Sequence, residues 1–261
     1  MDLGLTGKTA LVLGGGGGLG GAIARSLARE GVRVAVAGRS RNSLDVTVGR
    51  ITEAGGEAVA LEWDLGDLAA IDRQVGLIEQ RFGPVGILVN NTGGPPPTTA
   101  AGQQSDVWEK HFRSMVVSVI AITDRVLPAM RQARWGRIIT SASASVVSPI
   151  PNLAISNTLR LSLVGWSKTL SGEVGQDGIT ANVILPGRIA TPRISYLDQQ
   201  KAERDGSTPE AVERQSLASI PLGRYGDPDE YGDVVAFLAS QRAAYITGSV
   251  IRVDGGLIAS V

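Results

Sequence analysis

Thr9-Ala10-Leu11-Val12-Leu13-Gly14-Gly15-Gly16-Gly17-Gly18-Leu19-Gly20-Gly21-Ala22-Ile23-Ala24 is the stretch whose reading decides the fold. Its first five residues are apolar and partly β-branched, as a buried strand requires. The residues that follow, Ala22 to Glu30, place apolar side chains at helical spacing. The glycines therefore fall where a strand turns into a helix. Such a turn aims free backbone N–H groups and the positive end of the helix dipole at one point, which suits an anionic phosphate. Glycine also lets the backbone approach a pyrophosphate closely. The run fits several registers, so Gly14, Gly16, Gly17, Gly18, Leu19 and Gly20 are all candidate phosphate contacts. The plain alternative is a flexible loop.

Outward from this stretch, strand-like and helical patterns alternate to the end of the chain. The strand-like runs are Thr9–Leu13, Arg33–Ala37, Ala58–Glu62, Ile87–Asn90, Arg137–Thr140, Thr180–Leu185 and Val250–Val253. Helical patterns occupy about 19–30, 41–54, 67–82, 105–134, 152–174 and 228–239. This alternation predicts an α/β protein with a doubly wound, seven-stranded parallel sheet, helices on both faces and right-handed crossovers. Ligands in such sheets bind beyond the carboxyl ends of the strands. The loops expected to matter are therefore 14–20, 38–41, 64–66, 91–97, 141–151 and 186–195.

Bulk composition narrows the function. The chain has 261 residues, 43% of them hydrophobic, and shows no internal repeat or low-complexity linker. One domain over 1–261 is expected. Basic and acidic residues number 25 each, and no basic patch points to nucleic acid. The absence of cysteine excludes thiolate chemistry and fits a cytoplasmic protein. No apolar run reaches the roughly 20 residues of a membrane span, and no signal-peptide pattern opens the chain. One histidine, no cysteine and no carboxylate cluster leave no metal site.

The second strand ends Ala37-Gly38-Arg39-Ser40-Arg41. In dinucleotide folds an acidic residue near here binds the ribose 2′-hydroxyl of NAD, and an arginine accommodates the 2′-phosphate of NADP. Glycine holds the acidic position, and arginine follows. This pattern favours NADP(H) over NAD(H), with Arg39 as the selector. Two solvated surface arginines are the alternative.

Later strand ends carry Asp64-Leu65, Asn90-Asn91-Thr92-Gly93, Ser141-Ala142-Ser143 and Pro186-Gly187-Arg188-Ile189-Ala190-Thr191. With Gly14, Gly18 and Gly20, the stretch 136–139 and the tail Ile246-Thr247-Gly248…Val253-Asp254-Gly255-Gly256, this ordered set resembles the short-chain dehydrogenase/reductase family over nearly the whole chain. The resemblance implies a single Rossmann-fold domain, a nicotinamide cofactor, and hydride transfer between an alcohol and a carbonyl on a small-molecule substrate. It further implies Asp64 and Leu65 by the adenine, Asn91 by the adenosine ribose with Gly93 close by, and Pro186, Gly187, Ile189 and Thr191 by the nicotinamide. Homodimers or homotetramers are the assemblies it implies.

The family's catalytic pattern is a serine, then a tyrosine about thirteen residues on, then a lysine four further. Hydride reduction of a carbonyl leaves an alkoxide that needs a proton from a group within hydrogen-bond reach. A tyrosine near its ordinary pKa of ~10 is too weak an acid, and a neighbouring ammonium lowers it. Counted without gaps from Gly136, the serine is Ser143, the tyrosine position is Ser156 and the lysine position is Arg160. The family's frequent asparagine falls at Met115. The four tyrosines are Tyr196, Tyr225, Tyr231 and Tyr245, all late in the chain. Ser143, Ser156 and Arg160 are the candidate catalytic residues, with Arg160 also a candidate for the ribose hydroxyls. Two readings stay open: redox catalysis at an altered site, or a cofactor-binding sensor or partner protein without ordinary turnover.

Other features receive modest readings. His111 is expected at a surface or interface, and Lys168 lies too far along its helix to replace the missing lysine. Pro95–Pro97 stiffen the loop after the fourth strand. Residues 193–226 read as a lid over the substrate pocket, or as an ordinary surface excursion. Segments 107–127 and 153–170 are apolar around most of the helix, which predicts their burial in self-association.

Overall fold

The computed structural model describes residues 2–261. Seven strands, β1 (Thr9–Leu13), β2 (Arg33–Gly38), β3 (Ala58–Glu62), β4 (Ile87–Asn90), β5 (Gly136–Ser141), β6 (Ile179–Pro186) and β7 (Val250–Val253), form one sheet. Their order is β3-β2-β1-β4-β5-β6-β7, and every pairing is parallel. All seven strand-like runs are strands. β5 and β6 run slightly longer than their apolar cores, because neighbours on both sides extend the ladder to Gly136↔Ile179 and Pro186↔Val253.

The helices are α1 (Gly18–Arg29), α2 (Arg41–Glu53), α3 (Ile71–Phe82), α4 (Ser105–Phe112), α5 (Ser118–Ala133), α6 (Ala154–Val174), α7 (Pro192–Asp205), α8 (Pro209–Ser219) and α9 (Pro228–Ala239). The long pattern over 105–134 is not one regular helix. A π-helical turn, Arg113–Val117, joins α4 to α5. Such turns recur at functional sites, and here Arg113 Nε donates to Gly66 O at 2.9 Å, tying the turn to the loop after β3. The region 193–226 contains α7 and α8.

Strand side chains alternate between two cores, as a sheet covered on both faces demands. Val12, Val36, Val89 and Ile139 pack with Ile23, Leu27, Leu44 and Val235 of α1, α2 and α9. Leu11, Leu13, Leu88 and Ile138 pack with Ile78, Val126 and Leu170 of α3, α5 and α6. Strand order reverses between β1 and β4, so their connections leave in opposite directions and open a crevice beyond the strand ends.

Candidate active site

The glycine loop builds the floor of the crevice. Gly17 has φ +147° and nothing within 4 Å of where a Cβ would stand, so the backbone there is open to a ligand. Gly17 is also the N-cap of α1 and supplies no side-chain acceptor, which leaves the helix's first amides aimed outward. Gly20 needs to be glycine for a second reason. A Cβ there would collide with the Gly14 carbonyl and stand 2.8 Å from Asn91 Nδ2. Asn91 Nδ2 donates to Leu13 O at 3.2 Å, locking the loop to the end of β4. Leu19 turns inward and packs on the core between the sheet and α9. Thr191 caps α7, its side chain 3.8 Å from a Cβ placed on Gly18, so the loop after β6 closes the crevice from the far side. Gly14, Gly16, Gly17, Gly18 and Gly20 thus form one cradle with the chemistry a dinucleotide pyrophosphate needs.

At the end of β2, Gly38 leaves room and Arg39 is exposed. Arg41 is held by its own helix, with Nε 3.0 Å from both oxygens of Asp45. Arg39 makes no ion pair among the described residues, so it is the cation this corner can offer a phosphate. Asp64 accepts from Gly66 N at 2.9 Å, and Leu65 packs on the core beside α3 and α5.

The other half of the crevice is built around Arg160. Its guanidinium is buried under the ends of β4 and β5. Nε donates to Ser156 Oγ at 3.3 Å, Nη1 to Ser141 O at 3.2 Å, and Nη2 to Thr92 O at 3.2 Å and Gly93 O at 3.4 Å. Desolvation lowers its pKa to about 10, which leaves it charged at neutral pH. The sequence led us to expect this group facing ribose hydroxyls. In the structure most of its donors are engaged by backbone carbonyls, because two strand ends converge there without amides to answer them. The hydroxyl oxygens of Ser156 and Ser143 each accept one bond, Ser143 from Ser145 N at 3.1 Å. Their own protons remain free to point at a ligand. Met115 is buried with Ile155, Leu159 and Leu163 and brings no polar atom to the crevice.

Sequence reasoning missed Tyr231. It is fully buried on α9, its hydroxyl 2.9 Å from Ser141 Oγ and donating to Ile184 O at 3.3 Å. Burial raises its pKa well above the ordinary value, so it stays protonated. Tyr231 and Arg160 hold the same strand end, one through the Ser141 side chain and one through its carbonyl. The other tyrosines lie elsewhere: Tyr225 donates to Asp198 at 2.8 Å, Tyr196 is half exposed and Tyr245 fully exposed. None of the four bonds Ser143 or Ser156.

The remaining expected positions are held by packing and backbone contacts. Pro186 ends β6, and Ile189 is buried against Gly226. Gly187 is set by contact with the next strand, since a Cβ there would stand 2.5 Å from Asp254 Cα. Gly93 contributes its carbonyl to Arg160 and leaves open space where a side chain would be. Lys168 lies against Gly248 before β7, away from Arg160. His111 sits half exposed on α4, with desolvation lowering its pKa. Among the described residues, no group of three His, Cys, Asp or Glu could hold a metal, and no helix is long and apolar enough to cross a membrane.

A glycine cradle at a strand–helix junction, opening on the point where strand order reverses, defines a dinucleotide-binding α/β protein of the doubly wound class. The comparisons make this specific. The family model described as enoyl-(acyl carrier protein) reductase matches residues 15–258. The chain is 36% identical over 254 residues to the 3-oxoacyl-[acyl-carrier-protein] reductase of Escherichia coli, covering 96% of this chain and 97% of that one. It is 34% identical over 253 residues to a putative ketoacyl reductase of Streptomyces coelicolor, with 96% and 97% covered. A structure of L-sorbose reductase from Gluconobacter frateurii, complexed with NADPH and L-sorbose, superimposes with a TM-score of 0.94 at 30% identity over 100% of both chains. The chain belongs to the short-chain dehydrogenase/reductase family, a family of enzymes.

Proposed function

We propose that the protein is an NADP(H)-dependent reductase that transfers hydride between the nicotinamide and the alcohol or carbonyl carbon of a small molecule, at a site whose proton-delivering pair is altered. The observation that carries this is the open cradle at Gly17 beside an unpaired Arg39. The relatives support it: the sorbose reductase complex holds NADPH, and both curated relatives are named as reductases of ketoacyl or oxoacyl groups. The pyrophosphate lies on Gly14–Gly20. Arg39 takes the 2′-phosphate, Asp64 and Leu65 flank the adenine, Asn91 and Gly93 the adenosine ribose side, and Pro186, Ile189 and Thr191 the nicotinamide.

Bound NADPH supplies the hydride. Ser143 would polarise the substrate's carbonyl oxygen with its free hydroxyl proton before and during that transfer. Ser156, its oxygen fixed by Arg160 Nε, points its proton into the crevice and positions a water. Neither an alkyl hydroxyl nor water has a pKa near neutrality, so the proton reaching the alkoxide is relayed from bulk solvent through that water, and serine gives up none of its own. Arg160 holds Ser156 and the strand ends in place. The α7–α8 excursion, residues about 193–226, forms the lid. A cofactor-binding sensor or partner role without ordinary turnover is the second reading, favoured by one observation: no tyrosine reaches Ser143, and Arg160 is held by carbonyls.

Two copies or four assemble through the α4–α6 side, where Phe112 is 45% and Leu161 53% exposed, and a monomer in sedimentation at micromolar concentration refutes that assembly. The function is tested by NADPH and NADH fluorescence titration, then by turnover over a panel of ketones, aldehydes, alcohols and sugars. Tighter NADPH binding is expected, with Arg39→Ala losing about tenfold of that preference as one charge-assisted phosphate contact. Equal NADH binding in the wild type removes Arg39 as selector. Turnover on no compound leaves the sensor reading.

A further inference from the structure

The wall of the crevice facing the nicotinamide side is cationic and has no acid of its own. The loop after β4, residues 91–105, carries no charged residue, and neither does 141–159 after β5. The loop after β6 contributes Arg188, the first turn of α7 contributes Arg193, and α6 contributes Arg160. The first acid on α7, Asp198, is buried and fully engaged: Arg188 Nη1 donates to it at 2.5 Å and Tyr225 Oη at 2.8 Å.

Among the described residues, Arg193 is therefore left without a counter-ion. Its guanidinium lies flat on Gly94, with Nη2, Cζ and Nε at 2.9, 3.1 and 3.2 Å from where a Cβ would stand. Glycine at 94 is what admits it. Nη2 donates to Pro95 O at 2.7 Å, and the group stacks near Tyr196, 5.5 Å from the ring centre. These contacts fix the fork in place and leave its other N–H donors free. Burial lowers the pKa of both Arg193 and Arg160, and the Arg193 charge adds a smaller lowering at Arg160. A half-buried cation beside a second one is unfavourable unless something anionic joins them.

We propose that Arg193 is a specificity-determining residue that binds a carboxylate or similar anionic group on the substrate. This deepens the function proposed above and rests on it: the substrate class becomes oxo compounds bearing an acid group, held by Arg193 while the carbonyl lies at Ser143. A guanidinium fork matches a carboxylate bidentately. Fixed by Pro95 and Tyr196, it gives up little side-chain entropy on binding.

The experiment uses the NADPH-loaded full chain and matched pairs of 2-oxo and 3-oxo carboxylates with their methyl esters. Calorimetry gives affinity, and NADPH absorbance gives turnover. The expected result is a preference for the acid of at least about tenfold in the wild type, the size of one charge-assisted contact. Arg193→Gln abolishes the preference, Arg193→Lys keeps part of it, and NADPH affinity changes by less than about twofold in both. Equal binding of acid and ester, or of neither, overturns the proposal. So does a large loss of NADPH affinity in Arg193→Gln, which makes the cofactor pyrophosphate the anion. If NADPH fails to bind at all, the redox reading fails, and the same calorimetry without cofactor still decides the acid preference. If Arg193→Gln does not fold, the wild-type acid–ester difference and Arg193→Lys decide it.

Discussion

The two halves of the crevice are built on different principles. Between β1 and β3 the site is backbone: Gly14 and Gly20 with no room for a Cβ, Gly17 open to solvent, a helix start without a side-chain cap, one exposed arginine at a strand end. Between β4 and β6 it is side chains: Arg160 on three carbonyls and a hydroxyl, two serines, and Arg193 against Gly94. A backbone site tolerates change everywhere except at its glycines. A side-chain site can be rewritten by a few substitutions while the sheet beneath it stays the same. One half can therefore stay fixed while the other changes, which is what the function proposed above requires.

The sharpest way to break this contrast is to rewrite the chemical half again. Ser156→Tyr with Arg160→Lys supplies a phenol beside an ammonium four residues on, on one helix face. A positioned general acid contributes typically ~10²–10⁴-fold, so carbonyl reduction is expected to rise by that order. Ser143→Ala in the same background should remove the gain, since the carbonyl loses its polarising hydroxyl. A wild type already as fast as its relatives contradicts the premise that proton delivery is what the site lacks. A folded, NADPH-binding double variant that stays inert shows that the crevice has been reshaped for another task.

Arg160 alone tests a smaller effect. Arg160→Met keeps the bulk but leaves the carbonyls of Thr92, Gly93 and Ser141 without their donor. Hydrogen bonds to a charged group contribute about 1.5–3 kcal/mol each and are not additive, so a loss of about 3 kcal/mol in unfolding free energy is expected. Denaturant midpoints measure it. NADPH affinity should change far less, because the glycine cradle does not use Arg160. If NADPH binding collapses while stability holds, Arg160 reaches the ribose after all, and the two halves are one unit.

How much of this was legible in sequence follows the same division. The central strands were readable because both faces of the sheet are buried there, which writes runs such as Thr9–Leu13 or Ile87–Val89 as continuously apolar. The cradle was readable because only glycine fits where Gly20 meets Gly14. The partners of Arg160 were not. Backbone carbonyls carry no residue-type signal, and which of them a guanidinium meets depends on three elements far apart in the chain. Tyr231 escaped for the same reason, since its partner Ser141 lies 90 residues away. The solitude of Arg193 is a property of what surrounds it, visible only once Asp198 is seen to be engaged with Arg188 and Tyr225. The π-helical turn at Arg113–Val117 lies within an unbroken helical pattern that gives no warning of it.

The smallest expected effect concerns acid. The crevice walls after β4 and β5 carry no carboxylate, so the chemical half has little to lose as pH falls. The first turn of α9 has more to lose. Glu230, in the first turn of α9, accepts from Arg224 Nη2 at 2.7 Å and Nη1 at 2.8 Å, and from Asp227 N at 2.7 Å. The Arg224 guanidinium, with the Asp227 amide second, lowers its pKa from 4.5 to about 2. A carboxylate with a depressed folded-state pKa binds fewer protons folded than unfolded. Its contribution is complete above the unfolded value of 4.5 and is lost as pH falls towards about 2. The α9 helix packs on α1 behind the glycine loop, joined by Arg25 to Asp229 at 2.5 Å. Acid should therefore loosen the start of α9 and its junction with α1 first, and Glu230→Gln should shift the acid unfolding midpoint upward only slightly, because the pair is solvent exposed. At pH 7 the variant loses the little the pair contributes, and between pH 4.5 and 2 the gap from wild type closes. A gap that widens in that window reverses the sign of the argument, and equal curves throughout mean that the pair contributes nothing.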